Sequence, residues 1–108
     1  MSERAVTALR VEAKFGNARH IRKLLQKHRN YNVNYVASTG DTLLHSASRN
    51  GNLGVVRVLI SEFKANVNTG DYQNNTPLHV AALCGNEEVV LSLITDFNCD
   101  ISAKGYLG

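Results

Sequence analysis

Between Thr76 and Phe97 the apolar positions fall into two short helical runs separated by a turn. Thr76 suits a helix N-cap, and Pro77 suits the first helical position, where its missing N–H costs nothing. Gly85 suits a left-handed exit, so a helix over about 77–84 is predicted. Asn86 reads as a second cap, with Glu87 and Glu88 in a first turn whose dipole favours anions. Val89, Val90, Leu93 and Ile94 then form an apolar stripe that predicts a second helix reaching about Phe97. The following "NCDISAKGYLG" is too long and too rich in turn formers for a plain helix connection, and reads as a protruding loop or hairpin.

The same pattern occurs 34 residues upstream. Residues 42–74 and 76–108 share 12 identities in 33 positions, among them Thr, Leu, His, Ala, Gly and Asn of "TLLHSASRNGN" and "TPLHVAALCGN". At a shift of 35, Thr7, Leu9, Gly16, Asn17, Arg22 and Leu24 match Thr42, Leu44, Gly51, Asn52, Arg57 and Leu59. Three units of about 34 residues account for the chain. Helices this short do not persist alone in water, so each unit must bury its apolar face on its neighbours.

The threonine-initiated "TPLHVA" and "TLLHSA", the "GN" before a "VV…LI" helix, and the "NVN" at 32–34 and 66–68 resemble the ankyrin repeat. The tetratricopeptide repeat has a similar period but needs longer helices and tryptophan packing positions; this chain has no Trp. The resemblance implies an all-α solenoid of paired short antiparallel helices with protruding hairpin-like loops, one domain over residues 1–108 with repeats at about 7–41, 42–75 and 76–108. It also implies that His45 and His79 tie the helix start to the adjoining loop.

Departures from the pattern carry their own expectations. Arg10 and Glu12 stand where the other units have histidine and alanine, as suits a terminal unit with a polar outer face. Leu43 replaces the proline, and Gly54 costs the second helix of repeat two about 1 kcal/mol relative to alanine, which predicts a weaker helix there. Gly108 falls two residues before a further threonine would stand, which implies a fragment of a longer array with further ankyrin repeats beyond it, or an end completed by a partner.

Family members bind other proteins with their loop tips and the inner side of their first helices, an extended face built from equivalent positions. Carried onto this chain, the positions that vary between units are Lys14 and Phe15; Ser38, Thr39, Asp41, Arg49 and Asn50; Tyr72, Gln73, Asn75, Leu83 and Cys84; and Tyr106 and Leu107. Tyr, Phe and Arg are residue types that anchor interfaces. Tyr72 and Tyr106, 34 apart, are placed to stack as rings on adjacent fingers. A non-enzymatic protein-interaction scaffold with no cofactor is the expected function.

Charge adds a second reading. Net charge is +3, but residues 7–41 carry +5, residues 42–75 carry +1 and residues 76–108 carry −3. The run "RHIRKLLQKHR" at 19–29 places Ile21, Leu24 and Leu25 on one stripe and leaves Arg19, Arg22, Lys23 and Lys27 for solvent. Phosphate or nucleic-acid binding is the alternative it raises, although no aromatic residues interleave for base stacking and a solvated face explains the run as well.

Other chemistry has little support. Cys84 beside His79 suggests a nucleophile pair, but no third orienting group or oxyanion site follows from the spacing, and Cys84 has no counterpart at Asn50 or Phe15. His20, His28, Cys84 and Cys99 lack metal-site spacing, and no phosphate-loop or nucleophile-elbow motif occurs. No apolar run is long enough for a membrane span, and "MSERAVTALRVEAKFG" lacks a signal core. Two cysteines without an export signal point to free thiols in a reducing setting, cytoplasmic or nuclear.

Overall fold

The computed structural model describes residues 3–99 and 101. They form six helices: α1 (Glu3–Phe15), α2 (Ala18–Lys27), α3 (Leu43–Arg49), α4 (Leu53–Ser61), α5 (Pro77–Leu83) and α6 (Glu87–Thr95). Each repeat is a helix pair. The first helices α1, α3 and α5 pack side by side in one layer, and α2, α4 and α6 form the second. The array measures 36 × 25 × 20 Å.

The predicted helix starts and stops are present in repeats two and three. Thr42 Oγ1 accepts from the His45 N–H at 3.2 Å while His45 Nδ1 accepts from the Thr42 N–H at 3.3 Å. Thr76 and His79 repeat this reciprocal cap, and Pro77 opens α5. Both helices end in a Schellman motif: Gly51 and Gly85 are left-handed at φ 68° and 71°. The Asn52 N–H reaches Ala47 O and the Gly51 N–H reaches Ser48 O; Asn86 and Gly85 do the same to Ala81 O and Ala82 O.

Three local expectations are corrected. The first helix begins at Glu3, four residues before the expected repeat boundary, so Thr7 lies inside it and caps nothing; "ERAV" consists largely of good helix formers and no hairpin interrupts it. Asn86 stands at the N-cap of α6 without a side-chain capping bond, as does Asn52 at α4. The last helix ends at Thr95 rather than Phe97, and Ile94 is exposed while Ser92 shares the buried stripe with Val89 and Leu93.

The asparagine amides act between repeats. Asn52 Nδ2 donates to Gly16 O at 2.8 Å, and Asn86 Nδ2 donates to Ser48 O at 2.7 Å and Arg49 O at 2.8 Å. The asparagine of each "GN" thus donates to carbonyls at the end of the preceding unit's first helix, where the helix itself offers few donors. The core runs between the two layers through Leu9, Ile21, Leu44, Val55, Val56, Leu59, Val89 and Leu93, all at most 1% exposed. Gly54 sits where α4 crosses α2: a Cβ there would meet the Ala18 Cβ at 3.6 Å, an ordinary contact.

Candidate partner-binding surface

The hairpin tips are built by one repeated turn. At residues 37–41 the Gly40 N–H donates to Ala37 O and the Ala37 N–H to Asp41 O; at 71–75 Asn74 and Asp71 make the matching bonds. Gly40 and Asn74 adopt positive φ, 91° and 63°, as the residue that closes such a turn requires. The two "NVN" segments join neighbouring loops, because the Asn66 N–H donates to Asn34 Oδ1 at 2.7 Å. Within each, the third residue's N–H bonds the first asparagine side chain, Asn34 to Asn32 and Asn68 to Asn66.

His45 fixes the second hairpin to this frame. Its Nδ1 accepts from a backbone N–H, so Nε2 carries the proton and donates to Asn75 O at 2.7 Å. The ring is fully buried, and that burial lowers its pKa, opposed by the bond to Asn75 and by the charges of Asp41 and Asp71. The imidazole is therefore a neutral tie, in the role the resemblance implies. In repeat one Arg10 replaces it and reaches the first hairpin at the surface, with Nη2 donating to Thr39 Oγ1 at 3.3 Å.

Candidate surface residues divide into three groups. Phe15, Tyr72 and Leu83 are large, apolar and 77%, 70% and 63% exposed. Ser38, Thr39, Gln73 and Cys84 are also exposed, and Lys14 is half-buried. Asp41, Arg49, Asn50 and Asn75 have internal duties. Arg49 makes a two-pronged ion pair with Asp41, one prong at 3.1 Å, which raises the guanidinium's pKa. Asn50 Nδ2 donates to Ser46 O, and Asn75 is buried, its carbonyl on His45 and its N–H on Asp71. Asn50 is itself exposed; for Asp41, Arg49 and Asn75, variation between repeats does not separate them from exposed residues, because the partners that occupy them lie elsewhere in the chain. Tyr106 and Leu107 lie outside the described residues, and with them the proposed tyrosine stack. Tyr72 instead leans on the preceding tip, where a Cβ on Gly40 would come within 3.2 Å of its ring.

A groove of about 550 Å³ lies between α1 and the first hairpin, lined by Arg10, Tyr31, Tyr35 and Ser38 among others. Tyr31 and Tyr35 meet edge to face at 6.4 Å. Sequence reading missed this pair, since neither tyrosine repeats at the period of the array.

The basic face of α2 is smaller than its sequence implies. Arg22 bonds Glu62 at the end of α4 through two contacts of 2.7 and 2.6 Å, while Arg19, Lys23 and Lys27 remain exposed. Cys84 is exposed and Cys99 buried. Among the described residues no group of three or more His, Cys, Asp or Glu side chains is placed to hold a metal ion, and no helix is long and apolar enough to cross a membrane.

These helix pairs, reciprocal caps and stacked hairpins define an ankyrin-type array. The family model for ankyrin repeats (three copies) matches residues 9–105, and the chain belongs to that family. No curated protein sequence matches the chain. Among solved structures it is similar to a chain in the crystal structure of the yeast ribosomal protein Rps3 in complex with its chaperone Yar1. The TM-score is 0.78 at 30% identity, with 86% of this chain and 67% of that one covered. It is also similar to a chain in the complex of the Bd0816 predatory endopeptidase from Bdellovibrio bacteriovorus with immunity protein Bd3460. There the TM-score is 0.78 at 29% identity, with 87% of this chain and 47% of that one covered. This chain thus spans about half the length of the second.

Proposed function

We propose that this chain is a non-enzymatic protein-binding module that holds its partner on the face formed by the hairpin tips and the exposed ends of α1, α3 and α5. The observation that carries the reading is the division of labour within the repeats. The recurring Thr, His, Gly and Asn are committed to caps, turns and bonds between units. Phe15, Tyr72 and Leu83 vary between units and expose large apolar surface at the places where interface anchors are useful. Both structural relatives come from complexes between two proteins, which supports a protein as the partner.

The test is a triple substitution, Phe15→Ala, Tyr72→Ala and Leu83→Ala, compared with the parent chain in a crosslinking pull-down. Arg49 is left intact because removing it strands Asp41. Loss of the captured protein with unchanged helix content supports the face; full capture by the folded triple variant contradicts it.

Polyanion binding by α2 is the second reading, carried by the exposed Arg19, Lys23 and Lys27. Its mark is affinity for a DNA duplex that falls steeply with salt and is lost on charge reversal at Lys23 and Lys27. Binding that is absent or indifferent to salt dismisses it.

A further inference from the structure

The turn that leaves α2 differs from the one that leaves α4. In repeat two Ala65 is buried, and its N–H reaches back to Leu59 O at 3.0 Å, which closes the chain onto the end of α4. Repeat one has one residue more between Leu25 and Asn32, and Tyr31 stands at the place of Ala65. Its N–H bonds His28 O instead, and its half-buried ring turns edge-on to Tyr35. Beside this longer turn a groove of about 320 Å³ lies between the ends of α2 and α4. Leu25, Tyr31, Val33 and Phe63 give it an apolar floor, and the exposed Arg29 and Lys64 form its rim. The groove lies between repeats one and two, and none of its lining belongs to a first helix or a hairpin tip.

The rim is positively charged. No acidic residue occurs between Glu12 and Asp41. Glu62 also lines the groove, but Arg22 takes its carboxylate through contacts of 2.7 and 2.6 Å, and those hydrogen bonds lower its pKa. Lys27, Arg29 and Lys64 are exposed and make no ion pair among the described residues. The C-terminal ends of α2 and α4 together contribute about one unit of negative charge, which leaves about two positive charges around the groove. Lys64 has a left-handed backbone at φ 59°, where Asn98 stands one repeat later. Glycine or asparagine adopts that conformation more readily than lysine, so this position carries its charge at a conformational cost.

We propose that this groove docks an acidic segment of a partner protein. One large apolar side chain of the segment sits on Leu25, Val33 and Phe63, and its flanking carboxylates face Arg29 and Lys64. The volume is at the small end for a ligand cleft and holds a single anchor, so the rest of the contact is charge. Charge alone would suit a phosphate backbone equally well. The apolar floor favours a peptide, because a nucleic-acid duplex presents no apolar side chain to fill it. The groove is separate from the tips and first helices proposed as the main partner face, so either assignment can fail without the other.

Fluorescence anisotropy of the 108-residue chain tests the proposal, with a fluorescein-labelled peptide of Asp and Glu around one central phenylalanine as the probe. At about 0.15 M salt, charges beyond about 8 Å are screened, which confines the readout to nearby groups. Binding with a Kd of about 10 to 100 μM is expected. Reversing the rim with Arg29→Glu and Lys64→Glu should weaken it about tenfold or more, whereas Arg19→Glu with Lys23→Glu, elsewhere on α2, should change it less than about threefold. All four positions are exposed, and helix content is expected to be unchanged in both variants. A probe with serine in place of the phenylalanine should bind about tenfold more weakly. No binding of the phenylalanine probe at about 1 mM chain overturns the proposal. So do equal losses in the two charge variants, equal binding of the serine probe, which marks a polyanion surface only, and a DNA duplex bound more tightly than the phenylalanine probe.

Discussion

Repeats two and three share 12 of 33 residues, yet their equivalent positions have different surroundings. His45 is fully buried while His79 is half-buried; Val56 is fully buried while Val90 is half-buried; Ser48 is buried while Ala82 is exposed. The caps, the Schellman turns and the left-handed glycines are the same in both. Local sequence therefore builds the same helix pair twice, and the neighbour decides how much each residue contributes. In a linear array stability resides in the contacts between units as much as in the units themselves.

The largest break in this comparison is expected from the histidines. His45→Ala removes a fully buried ring and should cost about 3 kcal/mol in urea unfolding, against about 1 kcal/mol for His79→Ala at a half-buried ring. Equal costs would mean that the deeper burial of His45 adds nothing. Val56→Ala is next, at about 2 kcal/mol, with Val90→Ala under about 1 kcal/mol because its side chain is only partly covered.

Glycine substitutions sharpen the same contrast. Gly85→Ala should cost about 1 kcal/mol for the left-handed backbone alone, and Gly51→Ala more, because its new Cβ must also displace the Asn86 side chain. If the two are equal, the asparagine bridge yields freely. A pH titration of stability probes His45 without mutation. Its folded pKa lies below the ordinary 6.5, so the neutral ring's contribution is complete above that pH and is lost as pH falls through 6.5 toward the folded value. His45→Ala should flatten that part of the profile. The smallest effect is expected from exchanging Arg22 and Glu62, an exposed pair whose swap should leave the unfolding midpoint unresolved from the parent.

Much of the frame was legible from residue types alone. Thr42, Thr76, Pro77 and Gly85 stand where local backbone chemistry puts them, and those rules need no knowledge of the rest of the chain. Asn86 was read as a cap by the same rules; its side chain, like that of Asn52, makes no capping bond and serves instead as a donor to carbonyls of the preceding repeat, partners that lie more than 30 residues away and that local rules do not see. The second helices of repeats two and three are followed by left-handed Lys64 and Asn98, positions without a glycine to mark them. The candidate surface was legible only in part. Exposure at Phe15, Tyr72 and Leu83 fits their variation, but Asp41 with Arg49 and Asn75 with His45 show that variation also arises where internal partners differ.

Hydrogen exchange of the backbone amides tests most directly whether the covering neighbour sets the stability of each unit. The slowest amides are expected in α3 and α4, where Leu44, Ala47, Val56 and Leu59 are covered on both sides, with protection falling through α5 to α6. Equal protection in α4 and α6, or the slowest exchange in α6, would contradict the account.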